Sequence, residues 1–130
     1  GKGRTYPHTA PVNMTYAIRE ALRLLAEEGL DARWQRHQDA AERLYAGLED
    51  MGLECHVPRE HRLHTLTTIR IPDGVDGKQV TARLIDEHNM ELGGGLGDLA
   101  GQVWRVGLMG YNATSDNVDK FLSALKQVLA

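Results

Sequence analysis

The sequence predicts a small α+β fold, in which helices cover one face of a small, mostly antiparallel sheet. Two helical apolar patterns run up to Gly52, short segments rich in β-branched residues follow, and the chain ends in another helical pattern. The predicted elements follow the order α-α-β-β-α-β-β-α. Because no linker rich in Pro, Gly or Ser divides the chain, we expect residues 1–130 to form one domain.

The first two helices follow an extended arm. Pro7 and Pro11 disfavour helix in the residues before them, so residues 4–11 are predicted to be extended. The first helix is predicted from Val12 to Gly29, a residue suited to the left-handed position that ends a helix. The second helix has Asp31 as its predicted N-cap and ends before Gly52. Its apolar seam recurs at steps of four and three: Leu30, Trp34, His37, Ala41, Leu44, Leu48 and Met51.

The middle of the chain predicts short strands around a third helix. Residues 53–57 and 65–71 are predicted strands, and Pro72-Asp73-Gly74 is a predicted turn. Asp76 followed by Gln79 resembles a capping box and predicts a helix that ends near Asn89.

The last predicted strands and the last helix come after Asn89. We predict strands at residues 90–92 and 103–109, with irregular backbone at residues 93–97, where four of five positions are glycine. The final helix is predicted to begin after Thr114 or Ser115 as its N-cap.

Composition and charge narrow the class of protein. The chain has 15 Lys and Arg against 18 Asp and Glu, interspersed, for a net charge of −3. We therefore expect no nucleic-acid partner. No apolar run approaches the roughly 18 residues of a membrane span, so we expect no membrane partner and a cytoplasmic location. The single Cys55 excludes an internal disulfide, in agreement with a reducing compartment.

Arg105 is the most informative single residue. It lies within the predicted strand at residues 103–109, among Val103, Trp104, Val106 and Leu108, where a charged side chain needs a partner. A salt bridge to one of the 18 acids, or an edge-strand position that lets the side chain reach water, would satisfy it. The functional alternative is a bidentate contact with a carboxylate, which the planar guanidinium suits.

Two other clusters carry weaker signals. The glycines of residues 93–97 could converge on a phosphate, but they match no complete nucleotide-binding motif, and a loop that lets strands pass closely is the simpler interpretation. His56, His61 and His64 have spacings that match no zinc-site pattern. We therefore expect no metal site.

Three stretches of the sequence carry a family resemblance. The string Leu92-Gly93-Gly94-Gly95-Leu96-Gly97 precedes Gly101-Gln102-Val103-Trp104-Arg105-Val106-Gly107-Leu108-Met109-Gly110, and Tyr6-Pro7-His8-Thr9-Ala10-Pro11-Val12 lies near the start of the chain. With these motifs, the chain resembles the alanine/serine–glyoxylate aminotransferases, which are class V, fold type I enzymes that use pyridoxal phosphate. The resemblance extends over nearly all 130 residues.

The resemblance implies roles for three residues. Arg105 matches the family arginine that binds the substrate α-carboxylate. Tyr6 and Thr9 match residues that reach the cofactor phosphate of the partner subunit in a homodimer. The implied reaction transfers an amino group from serine or alanine to glyoxylate.

The resemblance also implies that part of the enzyme lies outside this chain. The family's lysine, which holds the cofactor as a Schiff base, lies in a Ser-x-x-Lys context. Of the four lysines here, only Lys126 has a serine three residues before it, and it falls within the predicted final helix. We therefore expect a C-terminal small domain without catalytic residues, inactive without the large cofactor-binding domain that would precede Gly1. Two alternatives remain open: a stand-alone carboxylate-binding or interaction domain without catalysis, and a relative that acts on ureidoglycine, pyridoxamine or another amine.

Overall fold

The computed structural model describes residues 8–130, which contain four helices and a three-stranded sheet. The helices are α1 (Val12–Glu28), α2 (Leu30–Asp50), α3 (Gly77–His88) and α4 (Ser115–Leu129). The strands are β1 (Leu66–Arg70), β2 (Gly93–Gly94) and β3 (Val103–Gly107). The α+β class predicted from the sequence is confirmed.

The chain divides into two compact units, one ending at Trp34 and the other running from Gln35 to Ala130. The assignment of residues 1–130 to one domain stays a prediction. In the first unit, α1 ends at Gly29, whose φ of 81° is a positive value that glycine adopts without strain, although its ψ of 146° lies outside the left-handed helical region expected there. None of the side chains of α1 is buried.

The second unit contains the sheet, in the order β1-β3-β2 with both pairs antiparallel. Ile69 is opposite Trp104 and Thr67 is opposite Val106, and all four side chains are buried on one face. Aliphatic side chains of α2, α3 and α4 pack in the same core cluster as Ile69, Trp104 and Val106. The other face of the sheet carries Arg105, which is half-buried, and is called the open face below.

Local capping chemistry sets the ends of α3 and α4 as predicted. The Asp76 carboxylate accepts hydrogen bonds from the backbone N–H groups of Lys78, at 2.9 Å, and Gln79, at 3.1 Å. Asn89 ends α3 with a φ of 53°, and Thr114 caps α4 by accepting from the Asn117 N–H at 3.3 Å. These contacts lie within three residues in sequence, which is why the residue pattern alone predicts them.

Several strand predictions are wrong. Residues 53–57 form no strand, because only Cys55 bridges to Ile69 of β1. Residues 90–92 are also not a strand, whereas Gly93–Gly94, predicted to be irregular, pairs with β3 as β2. The strand predicted at residues 103–109 ends at Gly107.

The N-terminal part of α2 also differs from its prediction. The helix begins at Leu30, so Asp31 lies in its first turn and is not its N-cap. The predicted seam is buried only from His37 onward, and Trp34 on the same seam is 63% exposed. None of the described helices is long and apolar enough to cross a membrane.

Candidate functional site

The candidate site is centred on Arg105, on the open face of the sheet. Its strand, β3, is the central one, with Thr68 of β1 opposite Arg105 on one side and Gly93 of β2 on the other. An edge-strand position therefore does not account for this arginine. Because the flanking Trp104 and Val106 are buried on the core face, alternation along the strand puts the Arg105 side chain on the open face.

The contacts of Arg105 leave much of its guanidinium available. Its Nε donates a hydrogen bond to the carbonyl oxygen of Gly94 at 2.6 Å. Within residues 8–130, no carboxylate lies within 4.0 Å of Arg105, and Nη1 and Nη2 have no hydrogen-bond partner. The Gly94 carbonyl thus holds the Nε side of the guanidinium, while Nη1 and Nη2 remain able to donate hydrogen bonds to a ligand. Two parallel donors on a rigid plane match the two oxygens of a carboxylate.

The glycines of residues 93–97, called the glycine run below, shape this site by letting neighbouring groups come close to the backbone. A Cβ at Gly93 would lie 3.6 Å from Nη2 of Arg105, so the guanidinium lies beside a residue without a side chain. A Cβ at Gly95 would lie 1.9 Å from the carbonyl oxygen of Leu99, far inside contact distance. The glycines let β2 and the following turn pack against β3, which agrees with the simpler interpretation made from the sequence.

The Gly94 carbonyl is the part of the site that the sequence does not indicate. It is a backbone atom in a residue without a side chain, so no residue type marks it. Only the pairing of β2 with β3, which brings together residues 11 positions apart, reveals it as the acceptor for Arg105.

The two residues expected to reach the cofactor belong to the arm. Tyr6 lies outside the described residues. Thr9 precedes α1 in non-helical backbone and is exposed, and its hydroxyl has no hydrogen-bond partner within residues 8–130. It is therefore free to donate to another group.

The histidines form no metal cluster. Among residues 8–130, no group of three His, Cys, Asp or Glu side chains comes close enough to hold an ion. His56, His61 and His64 are thus not brought together as ligands.

Comparison with known proteins identifies the family. Residues 3–121 match the family Aminotransferase class-V, and the chain belongs to it. Alanine–glyoxylate aminotransferase of Mus musculus is 42% identical over 130 residues, which is 99% of this chain and 31% of that protein. The family predicted from the sequence motifs is confirmed.

Solved structures agree with this assignment. The structure of alanine–glyoxylate aminotransferase from Nostoc sp. is 62% identical, with a TM-score of 0.91 over 100% of this chain and 34% of that one. The structure of ureidoglycine–glyoxylate aminotransferase from Bacillus subtilis is 38% identical, with a TM-score of 0.89 over 94% of this chain and 32% of that one. This chain therefore spans about a third of the length of these relatives.

Proposed function

We propose that this chain provides the substrate-carboxylate site of a pyridoxal-phosphate-dependent aminotransferase that transfers an amino group from serine or alanine to glyoxylate. The observation that carries the proposal is the guanidinium of Arg105, which is held at Nε by the Gly94 carbonyl and has Nη1 and Nη2 without partners within residues 8–130. The similarity to alanine–glyoxylate aminotransferases supports the reaction and its glyoxylate acceptor.

Transamination gives this arginine the same task in both half-reactions. The amino acid donor and the oxo acid acceptor each carry a carboxylate next to the reacting carbon. A fixed guanidinium can therefore orient both substrates, because the α-carboxylate is the group that they share. Since the Gly94 carbonyl already holds Nε, little conformational freedom of the Arg105 side chain remains to be lost on binding.

Tyr6 and Thr9 have the chemistry to hold the cofactor phosphate. A phenol and a hydroxyl each donate a hydrogen bond to an anionic oxygen, and the Thr9 hydroxyl is exposed. When bound, pyridoxal phosphate supplies the electron sink that makes the substrate Cα proton labile. We propose that these two residues reach the phosphate bound by the partner subunit of a homodimer.

The remaining active-site groups would come from outside this chain. Of the four lysines, only Lys126 has the Ser-x-x-Lys spacing of the cofactor lysine, after Ser123, and it is exposed in the last turn of α4. We therefore propose that a large domain supplies that lysine and that the chain alone is inactive. The free, buried thiol of Cys55 fits the cytoplasmic location that we propose for the enzyme.

A second candidate function differs in the amino donor. The Bacillus subtilis relative named for ureidoglycine matches this chain almost as well in backbone, with a TM-score of 0.89. An amine other than serine or alanine would still need Arg105 for the glyoxylate carboxylate. The choice between donors therefore depends on side chains other than Arg105.

A chimeric enzyme tests the proposed function. Residues 1–130 would replace the matching third of the Nostoc aminotransferase, whose equivalent region is 62% identical. We expect the chimera to bind pyridoxal phosphate and to form glycine from glyoxylate with alanine or serine as the donor. A folded, cofactor-loaded chimera that uses only ureidoglycine would favour the second function, and one that transfers no amino group would contradict the proposal.

The 130-residue chain on its own is the matched control. With pyridoxal phosphate and borohydride, we expect weak labelling spread over its lysines, together with no transamination. Stoichiometric labelling of one lysine with turnover would show that the chain needs no large domain. Binding of a carboxylate ligand by the chain, together with an inactive chimera, would instead favour the stand-alone binding domain.

Tyr6→Phe and Thr9→Ala should weaken cofactor retention in the chimera more than they slow the chemical step. Each change removes a hydrogen bond to a charged phosphate, which contributes about 1.5 to 3 kcal/mol. Equilibrium dialysis of the cofactor measures the loss. Hybrid dimers would combine one subunit that carries the mutated arm with one subunit that lacks the cofactor lysine. They show whether the mutated arm weakens cofactor binding in its own subunit or in the partner subunit. Unchanged affinity in every combination would contradict the phosphate assignment.

A further inference from the structure

The loop between β3 and α4, residues 108–114, turns two large side chains outward. Met109 is 56% exposed, and Tyr111 is 92% exposed, the highest value among the exposed large hydrophobic residues within residues 8–130. Leu108 and Ala113, which lie on either side of this pair, are buried. The loop thus has its ends in the core and displays the two side chains of its middle part to solvent.

Two side chains of α2 fix the position of this loop. Nη1 of Arg36 donates to the carbonyl oxygens of Gly110, at 2.9 Å, and Ala113, at 2.7 Å. Nε2 of the buried His37 accepts from the Gly110 N–H at 3.1 Å, so both backbone groups of Gly110 are bonded to α2. Gly110 also has a positive φ of 59°, which favours glycine. A loop held in this way loses little conformational freedom when a partner binds it.

Met109 reaches the open face of the sheet. Its methyl carbon, Cε, lies 3.9 Å from the point that a Cβ of Gly107 would occupy. Gly107 follows Arg105 by two residues on β3, so both residues face the open side. Because two residues of a strand span roughly 7 Å, the Met109 methyl group and the candidate carboxylate site share one surface.

The function proposed above requires a second domain on that surface, and the present inference rests on that function. The carboxylate that Arg105 would hold is bonded to the reacting carbon, so the cofactor has to lie close to the ligand of this arginine. This chain spans about a third of the length of its relatives, and the large domain that would supply the cofactor lysine belongs to the remainder. A domain that brings the cofactor to Arg105 therefore covers the open face and meets Met109.

We propose that Met109 and Tyr111 anchor the cofactor-binding large domain on this chain. Tyrosine and methionine are both enriched in protein interfaces, and here the backbone that carries them is fixed in advance. A second copy of the chain is a less suitable occupant. A standard dimer interface buries about 800 Å² per subunit, whereas one tyrosine supplies roughly 150 to 250 Å². Two domains of one polypeptide need less area, because the covalent link already holds them together.

Oxidation of Met109 by hydrogen peroxide, followed by mass spectrometry of peptides, tests the proposal without any substitution. In the 130-residue chain, the exposed thioether should react readily. In the chimeric enzyme, the large domain should slow this oxidation about tenfold or more, because oxidation follows exposure. Met51 and Met90 are partly buried against the core of this chain, so they should react at similar rates in both proteins and serve as the reference. Equal oxidation of Met109 in the two proteins would overturn the proposal.

Tyr111→Ser gives an independent measurement. It should lower the melting temperature of the chimera by about 2 °C or more and leave that of the 130-residue chain unchanged, because the lost contacts exist only in the chimera. Ile85→Ser is the matched control. Ile85 is 49% exposed on α3, which packs on the core face, so this variant should change both proteins equally. Equal effects of Tyr111→Ser on the two proteins would contradict the docking contact.

The outcomes also separate this inference from the proposed function. An active chimera with unprotected Met109 would refute the docking surface alone. A folded chimera that protects Met109 but transfers no amino group would support the docking surface and refute the function. Protection that increases with the concentration of the 130-residue chain would place a second copy on the loop and overturn the proposal. If Tyr111→Ser does not fold in the chimera, the oxidation rates of the unaltered proteins still decide.

Discussion

Replacement of Arg105 by lysine in the chimeric enzyme should lower kcat/KM about tenfold to over a hundredfold for both the amino acid and the oxo acid, the loss expected for one charge-assisted hydrogen bond. Lysine keeps the positive charge but has no planar pair of donors. The three N–H donors of lysine diverge from a single nitrogen, so a lysine that reaches the Gly94 carbonyl cannot also present two parallel donors to a carboxylate. Steady-state kinetics with both substrates measures the effect.

Thermal stability separates this functional role from a structural one. Arg105 forms no ion pair within residues 8–130, so neither Arg105→Lys nor Arg105→Ala should lower the melting temperature much. Arg105→Ala should reduce kcat/KM further than Arg105→Lys, and the cofactor should stay bound in both variants. A large drop in melting temperature with unchanged kinetics would show that Arg105 is structural.

Gly95→Ala should be the most damaging change in the glycine run. The added Cβ would lie 1.9 Å from the carbonyl oxygen of Leu99 and 3.0 Å from Val103, so backbone has to move. We expect the free energy of unfolding to fall by about 1 to 3 kcal/mol, as in other overpacked sites. Urea denaturation of the 130-residue chain measures this change.

Gly94→Ala is the control for Gly95→Ala. A Cβ at Gly94 meets nothing within 4 Å, and neither glycine has a positive φ, so the two variants differ in contact and not in backbone strain. In the chimera, Gly95→Ala should also weaken substrate binding, because the Gly94 carbonyl that holds Arg105 precedes the displaced residue. Equal stability of the two variants would contradict the close packing at Gly95.

The parts of the fold that the sequence predicts depend on contacts close in sequence. Asp76 and Thr114 cap helices through N–H groups two or three residues away, and Gly29 ends α1 through its own conformation. Each of these helix ends depends on one residue type at one position in the sequence, so it can be predicted without knowledge of the tertiary structure.

The parts that the sequence does not predict depend on distant contacts. Glycine disfavours strands, yet Gly93–Gly94 forms β2 because β3 offers it an unpaired edge. The apolar pattern of α2 includes Trp34, but burial begins only at His37. Arg105 is recognisable as a charge among apolar residues, whereas its backbone acceptor is set by strand pairing.

The unequal pairing of β3 has a consequence for local motion. Five residue pairs join β3 to β1, whereas only two join it to β2. Opening fluctuations of the sheet should therefore start on the β2 side, where fewest hydrogen bonds must break. Such an opening withdraws the Gly94 carbonyl and lets the Arg105 side chain rotate, while the core on the opposite face stays closed. How firmly the Arg105 side chain is held thus depends on the stability of a two-residue strand. The Gly95 amide donates to the Val103 carbonyl, so its hydrogen-exchange rate would measure how often this side of the sheet opens.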